Sequence, residues 1–218
     1  IDERNFQATV EPGVITQIFQ EEVQKKGLFY PPDPASRGSC FIGGNLAENS
    51  GGPKAVKYGV TKDYVLNLEV VLADGSIIWT GADVLKNATG LNLTQLMVGS
   101  EGTLGIITKA VFRLLPFPSK DVLLLVPFRS AVQACEAVAQ IFHLGITPSG
   151  LEFMEKDALN FAKKFIPDIE LEIEDDIEAH LLIELDGDKE EILMDEAERI
   201  FSLLEQFDCG EILFADNQ

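Results

Sequence analysis

The sequence predicts an α+β protein built in two parts, and three observations predict it. Glycine content and charge change together near Pro116-Phe117-Pro118-Ser119: residues before Lys120 hold 14 of the 18 glycines with 10 basic and 12 acidic side chains, whereas those from Lys120 onward hold 7 basic and 24 acidic ones. The first part alternates short apolar, β-branched runs with turn residues. The second alternates strand and amphipathic-helix patterns in the order β-α-β-α-β-α-β, of ferredoxin-like character.

Taken in order, Phe6 to Val10 alternates as a strand and Glu11-Pro12-Gly13 turns the chain. Val14, Ile15, Ile18, Phe19 and Val23 stand at helical spacing, with Gly27 as the C-terminal stop. Residues 31 to 63 hold so many Gly, Pro, Ser and Asn that no regular element is expected there. Val65 to Leu72 and Ile77 to Thr80 flank Ala73-Asp74-Gly75-Ser76 as a hairpin, and Gly105 to Leu114 reads as a further strand. In the second part, strands are expected at Val122–Val126, Leu151–Met154, His180–Leu185 and Ile212–Phe214. Helices are expected after Ser130, opened by a Ser130/Gln133 capping box and ended by Gly145, then at Asp157–Phe165 before Pro167, and at Glu190–Phe207. An Asp188/Glu191 capping box opens the last helix, a plainer role for Asp186-Gly187-Asp188 than calcium, because the glycine is misplaced for an EF-hand loop.

The chain has 218 residues, is 46% hydrophobic and 24% charged, and carries a formal charge of −19. It can bury real cores, and no apolar run approaches the roughly 18 to 20 residues of a membrane span. The acidic balance argues against nucleic acid or an anionic membrane as partner. Cys40, Cys135 and Cys209 are odd in number and far apart, as expected of reduced thiols in a cytoplasmic setting. Ile1-Asp2-Glu3-Arg4 has no initiator Met and no signal-peptide pattern, so the sequence is expected to be cut from a longer polypeptide. The sequons Asn87-Ala88-Thr89 and Asn92-Leu93-Thr94 are read as incidental.

The densest chemical signal runs from Pro31 to Gly52 and includes Ile42-Gly43-Gly44-Asn45. Prolines fix φ, paired glycines remove side chains, and successive bare N–H groups can approach a phosphate or an electron-rich ring edge. A second cluster is Gly99-Ser100-Glu101-Gly102-Thr103-Leu104-Gly105. Its spacing is not G-x-G-x-x-G and it precedes a strand, which excludes a Rossmann turn; Gly51-Gly52-Pro53-Lys54 is not a P-loop.

Together with Lys57-Tyr58-Gly59-Val60, Lys86-Asn87-Ala88-Thr89-Gly90 and Leu151-Glu152-Phe153-Met154, these stretches resemble, in order and spacing, the FAD-linked oxidases with a PCMH-type FAD-binding domain. The likeness is to the glycolate oxidase flavin subunit and the D-lactate and D-2-hydroxyglutarate dehydrogenases. It implies the second subdomain of the FAD domain over residues 1–119 and the first half of a ferredoxin-like substrate domain over 120–218. It implies FAD as cofactor, with Pro32, Asp33, Ser36 and Cys40 along the isoalloxazine and its linker. Gly43, Gly44, Asn45, Ala47, Asn49 and Gly59 would line the ribityl and pyrophosphate path, and Glu101, Gly102, Ile106 and Ile107 would close over the cofactor with backbone contacts. Leu91-Asn92 stands where the family often has Tyr-Asp.

The activity so implied is hydride transfer from a small 2-hydroxy acid, such as glycolate or D-lactate, to flavin. Electrons would leave to an iron–sulfur subunit, a quinone or an electron-transfer flavoprotein. The family's upstream glycine-rich loop and its downstream His-rich motif are expected outside this chain, so the isolated chain is expected to retain flavin weakly and not to turn over. The alternatives are a split enzyme completed by a partner chain and a non-enzymatic binding module on the same scaffold. His143 and His180 have no second His or Cys at ligand spacing, and no metal is expected. The acidic run Asp168 to Glu178 reads as a solvated loop.

Overall fold

A computed structural model describes residues 1–166 and 173–216. The chain divides into two units, Ile1–Phe117 and Pro118–Gln218, and both are α+β.

The first unit runs β1 (Gln7–Val10), α1 (Thr16–Gln24), β2 (Leu28–Phe29), α2 (Ile42–Glu48), α3 (Ala55–Tyr58), a 3-10 turn at Thr61–Asp63, β3 (Val65–Val71), β4 (Ile77–Trp79), α4 (Leu93–Met97), β5 (Ile106–Arg113) and β6 (Leu115–Pro116). Its sheet is antiparallel in the order β1-β5-β3-β4, and β2 pairs with β6. Leu68 and Val70 of β3 point into the core while Glu69 and Val71 face outward, the period of two that a half-covered sheet requires. Phe19 of α1, Tyr30 and Phe112 of β5 pack with ring centroids 4.8 to 5.6 Å apart and close the centre of this core.

Residues 31–63 depart from expectation, because they hold α2, α3 and the 3-10 turn. Ile42 and Leu46, one helical turn apart, are both fully buried, and that anchorage outweighs the low helix propensity of Gly43 and Gly44. Helix α2 ends at Asn49 in the left-handed region (φ 53°). Helix α4, also unanticipated, is capped by Asn92, whose side chain accepts from the Gln95 N–H at 3.0 Å.

The second unit runs β7 (Lys120–Phe128), α5 (Ala131–His143), β8 (Gly150–Glu155), α6 (Lys156–Phe165), β9 (Ala179–Gly187), α7 (Glu190–Leu204) and β10 (Leu213–Asp216). The antiparallel sheet order is β10-β7-β9-β8. Helix α6 stands where the ferredoxin-like pattern joins its second and third strands directly. Val122, Leu124, Val126 and Phe128 alternate into the core against Ala134, Ala137 and Ile141 of α5 and Leu193, Ala197, Ile200 and Leu204 of α7.

Neither capping box forms. Ser130 occupies the N-cap of α5 without a side-chain bond; the Ala131 N–H donates instead to Glu178 Oε2 at 2.9 Å, and Gln133 Oε1 accepts from the Asp208 N–H. The N-cap of α7 is Lys189, without a side-chain bond. Pro167 and residues 168–172 of the acidic run lie outside the described residues. Within the rest of that run, Asp176 pairs with Arg129 at 2.6 Å, so it is tied to the fold and not merely solvated.

Candidate functional site

Helix α2 is fastened at its start by two backbone bonds: Ile42 N–H to the Val14 carbonyl and Gly43 N–H to the Pro12 carbonyl, both 2.9 Å. A Cβ at Gly43 would stand 2.8 Å from Pro12 Cβ, so glycine there serves the chain's own packing. Gly44 differs. It is exposed, and a Cβ on it would meet nothing within 4 Å.

Asn45 is 2% exposed, and its amide donates to Thr16 Oγ1 at 2.5 Å while its oxygen accepts from Cys40 Sγ at 3.4 Å. Cys40 Sγ is also 3.3 Å from Thr16 Oγ1. These contacts tie α1, the loop before α2 and α2 itself into one rigid piece, and the Ser36 carbonyl, accepting from Ser39 and Cys40 N–H groups at 2.8 Å, shapes that loop. Asn49 Oδ1 accepts from the Lys62 N–H at 2.9 Å.

The second glycine cluster docks on the end of this helix. Gly99 N–H donates to the Leu46 carbonyl at 2.8 Å and Glu101 N–H to the Ala47 carbonyl at 3.1 Å. The turn carries φ values of 79°, 52° and 72° at Gly99, Glu101 and Gly102, which exposes its backbone. A Cβ at Gly102 would meet nothing within 4 Å. The chain then enters β5, where Ile106 to Lys109 pair with β3, whereas β1 reaches only Ala110 to Arg113. In an antiparallel strand alternate residues direct both polar groups to opposite sides. Half of those over Ile106–Lys109 therefore face an edge with no strand partner among the described residues.

The structure thus brings together Cys40, Gly43, Gly44, Asn45, Ala47 and Asn49 with Glu101 and Gly102, and runs on directly to Ile106 and Ile107. The hydrogen bonds at Pro32 and Asp33 run elsewhere: both residues are buried, the Pro32 carbonyl accepts from Gln20 Nε2 at 2.9 Å, and Asp33 Oδ1 accepts from the Lys54 N–H at 3.2 Å. Burial pushes the Asp33 carboxyl above its ordinary range, and the Lys54 N–H works against that shift. Gly59 (φ 79°) lies against the Asp63 carboxylate, and Ser36 is exposed.

Sequence reasoning missed Pro12 and Thr16, which anchor α2 from about 30 positions away and carry no motif. It also missed an outward row across the sheet, Ile77–Val71–Ile106, whose outer members are 66% and 69% exposed; the alternation of the hairpin strands was its signal. His180 is buried with no partner for Nδ1, and burial lowers its pKa. Among the described residues no cluster of His, Cys, Asp and Glu could hold a metal, and no helix is long and apolar enough to cross a membrane.

This arrangement fits a planar, phosphate-bearing cofactor: an open ladder edge for a ring, and two bare-backbone positions, Gly44 and Gly102, with space before them. Comparison with known proteins bears on the family and its cofactor. Residues 1–81 match the FAD binding domain family and residues 117–218 the C-terminal domain of FAD linked oxidases. Glycolate oxidase subunit GlcD of Bacillus subtilis is 44% identical over 100% of this chain and 46% of its own length. D-lactate dehydrogenase of Anaerostipes hadrus is 38% identical over 99% and 46%, and that of Archaeoglobus fulgidus 39% over 84% and 40%. The chain thus spans less than half the length of these relatives. Among solved structures, an alkyldihydroxyacetonephosphate synthase superposes with a TM-score of 0.78 over 96% of this chain and 40% of its own, at 24% identity, which speaks for the fold. From its two matched stretches and the relatives that span both, this chain belongs to the FAD-linked oxidase family, whose cofactor is FAD.

Proposed function

We propose that the chain is part of an FAD-dependent dehydrogenase or oxidase of a small 2-hydroxy acid, glycolate, D-lactate or a near analogue. In this reading residues 1–119 form the second subdomain of the FAD domain and 120–218 the first half of the substrate domain. One observation carries the reading: α2 and the 99–102 turn, 50 residues apart in sequence, are joined by two backbone hydrogen bonds, and the turn leads directly into the stretch of β5 that lacks a strand partner on one side among the described residues.

The residues divide the work. The free N–H and C=O groups over Ile106–Lys109 hold a ring edge, and Gly44 and Gly102 admit close approach of a phosphate-bearing linker. Thr16, Cys40 and Asn45 fix the position of α2, so that these groups need not reorganise on binding. Bound FAD supplies a two-electron acceptor. Proton abstraction is assigned to no residue of this chain. Electrons leave to an iron–sulfur subunit, a quinone or an electron-transfer flavoprotein, and the setting is cytoplasmic.

The test is anaerobic addition of glycolate or D-lactate to the protein expressed from the entire reading frame that contains this sequence. Loss of the visible flavin absorbance supports the proposal. A flavin that no 2-hydroxy acid reduces removes the substrate class, and absence of bound flavin leaves a non-enzymatic module.

A further inference from the structure

The first unit carries an open cavity of about 300 Å³ beside Arg113, at the far end of β5 from Ile106. That volume is at the lower end of the range for small-molecule sites. Its chemically active walls are Lys62, Asp63, Asn87, Asn92, Gln95 and Arg113.

Arg113 is the key to its chemistry. Its guanidinium lies 4.9 Å from the ring centre of Tyr64, and its Nε is buried with no acceptor. Among the described residues no carboxylate pairs with it. A half-buried guanidinium with an unmet N–H is an incomplete arrangement, because buried donors are normally satisfied and buried charge is normally paired. Tyr64 stays a neutral phenol, since burial pushes its pKa up to about 12; its hydroxyl donates to the Tyr58 carbonyl at 2.7 Å and it lies beside the Arg113 guanidinium, but Nε itself finds no acceptor.

The rest of the wall is biased toward donors. Asp63, the one carboxylate of the lining, accepts from the Val60 N–H at 2.8 Å. Asn92 spends its oxygen on the Gln95 N–H and Asn87 its oxygen on the Thr89 N–H, which leaves their amide N–H groups to donate. Lys62 and Arg113 against Asp63 leave one net positive charge on the wall, which one carboxylate neutralises and a phosphate dianion exceeds. The planar fork of arginine matches a carboxylate with two parallel hydrogen bonds.

We propose that this cavity binds a small monocarboxylate, with Arg113 as its principal anchor and Lys62 as a secondary charge. The site is distinct from the ladder edge at Ile106–Lys109 and does not rest on the flavin reading.

The test is titration of the ¹⁵N-labelled chain with acetate, glycolate and inorganic phosphate at constant ionic strength, with chloride as the reference. Acetate and glycolate are expected to saturate, with a dissociation constant on the order of 1 mM, and to move the amides of Asn87, Asn92 and Gln95 and the Arg113 Nε–H. Arg113→Gln should weaken carboxylate binding at least tenfold. If that variant does not fold, Lys62→Gln, at an exposed position, should weaken it about threefold. Shifts that stay linear, a variant that binds as well as the parent, or phosphate binding tighter than both carboxylates would overturn the proposal. No FAD is needed for the readout, so failure here and failure of flavin binding are separate results.

Discussion

Replacing Gly44 with Ala separates what the fold needs from what the cofactor needs. Gly44 is the third residue of the seven-residue α2, it is exposed, and an added methyl meets no atom within 4 Å. Helix propensity and the lost freedom of the unfolded chain should therefore stabilise the first unit by about 0.5–1 kcal/mol. In a unit of this size that is a rise in melting temperature of roughly 2–5 °C. The same methyl projects into the space through which the flavin nucleotide would approach. A tenfold loss of FAD affinity, about 1.4 kcal/mol, is expected. Trp79, the chain's single tryptophan, lies on β4, two strands from the open edge, and reports binding by transfer of its emission to flavin. The assay is a thermal melt without FAD beside a Trp79 titration with FAD, the variant measured against the parent. A variant that melts lower refutes the view that the chain leaves this space empty. A variant that melts higher and binds FAD unchanged refutes the placement of the cofactor.

Other outcomes follow from the same geometry. Gly43→Ala should destabilise the first unit by about 1–3 kcal/mol in urea unfolding, because its methyl overlaps Pro12, and an unchanged midpoint would contradict that contact. Asn45→Ala removes the bonds to Thr16 and Cys40, leaves those two side chains only each other and the Cys40 carbonyl, and should cost about 1–3 kcal/mol; a Thr16→Val/Asn45→Ala double variant should show non-additive loss. His180 has its pKa held below the ordinary 6.5 by burial, so protonation favours the unfolded chain. Its stabilising effect is complete above that value and is lost as pH falls below it toward the depressed folded value. His180→Leu should therefore narrow the gap between urea midpoints at about pH 7.5 and pH 5, and an equal gap in both proteins would contradict the burial.

What was legible in the sequence depended on whether the deciding contact was local. The hairpin at Ala73–Ser76 could be read because Asp74 and Gly75 settle it within four residues: Gly75 takes φ 84° and Asp74 accepts from the Ser76 N–H at 2.9 Å. The strand and helix order of the second unit could be read because alternating and helical periods repeat over many residues. Helix α2 could not, since its stability comes from burial of Ile42 and Leu46 in a core assembled from distant segments. The two-residue strands β2 and β6 are too short to carry a period. Ser130 has the sequence of a cap, yet Glu178, 47 positions beyond Ala131, takes the Ala131 N–H.

The candidate site shows the same division. The glycine clusters were visible as composition, and their meeting at Leu46–Gly99 and Ala47–Glu101 was expected only through the family likeness. Gly43 and Gly44 are indistinguishable in sequence. Only the structure shows that Pro12 fills the space at one and nothing fills it at the other.

Amide mapping with FAD tests the central claim most directly. On titration of the ¹⁵N-labelled chain with FAD, saturable shifts are expected at Gly44, Gly102, Ile106 and Ile107, with Pro12-side neighbours of α2 moving little. Shifts confined to the second unit, or none at these four amides while FAD demonstrably binds, would contradict it.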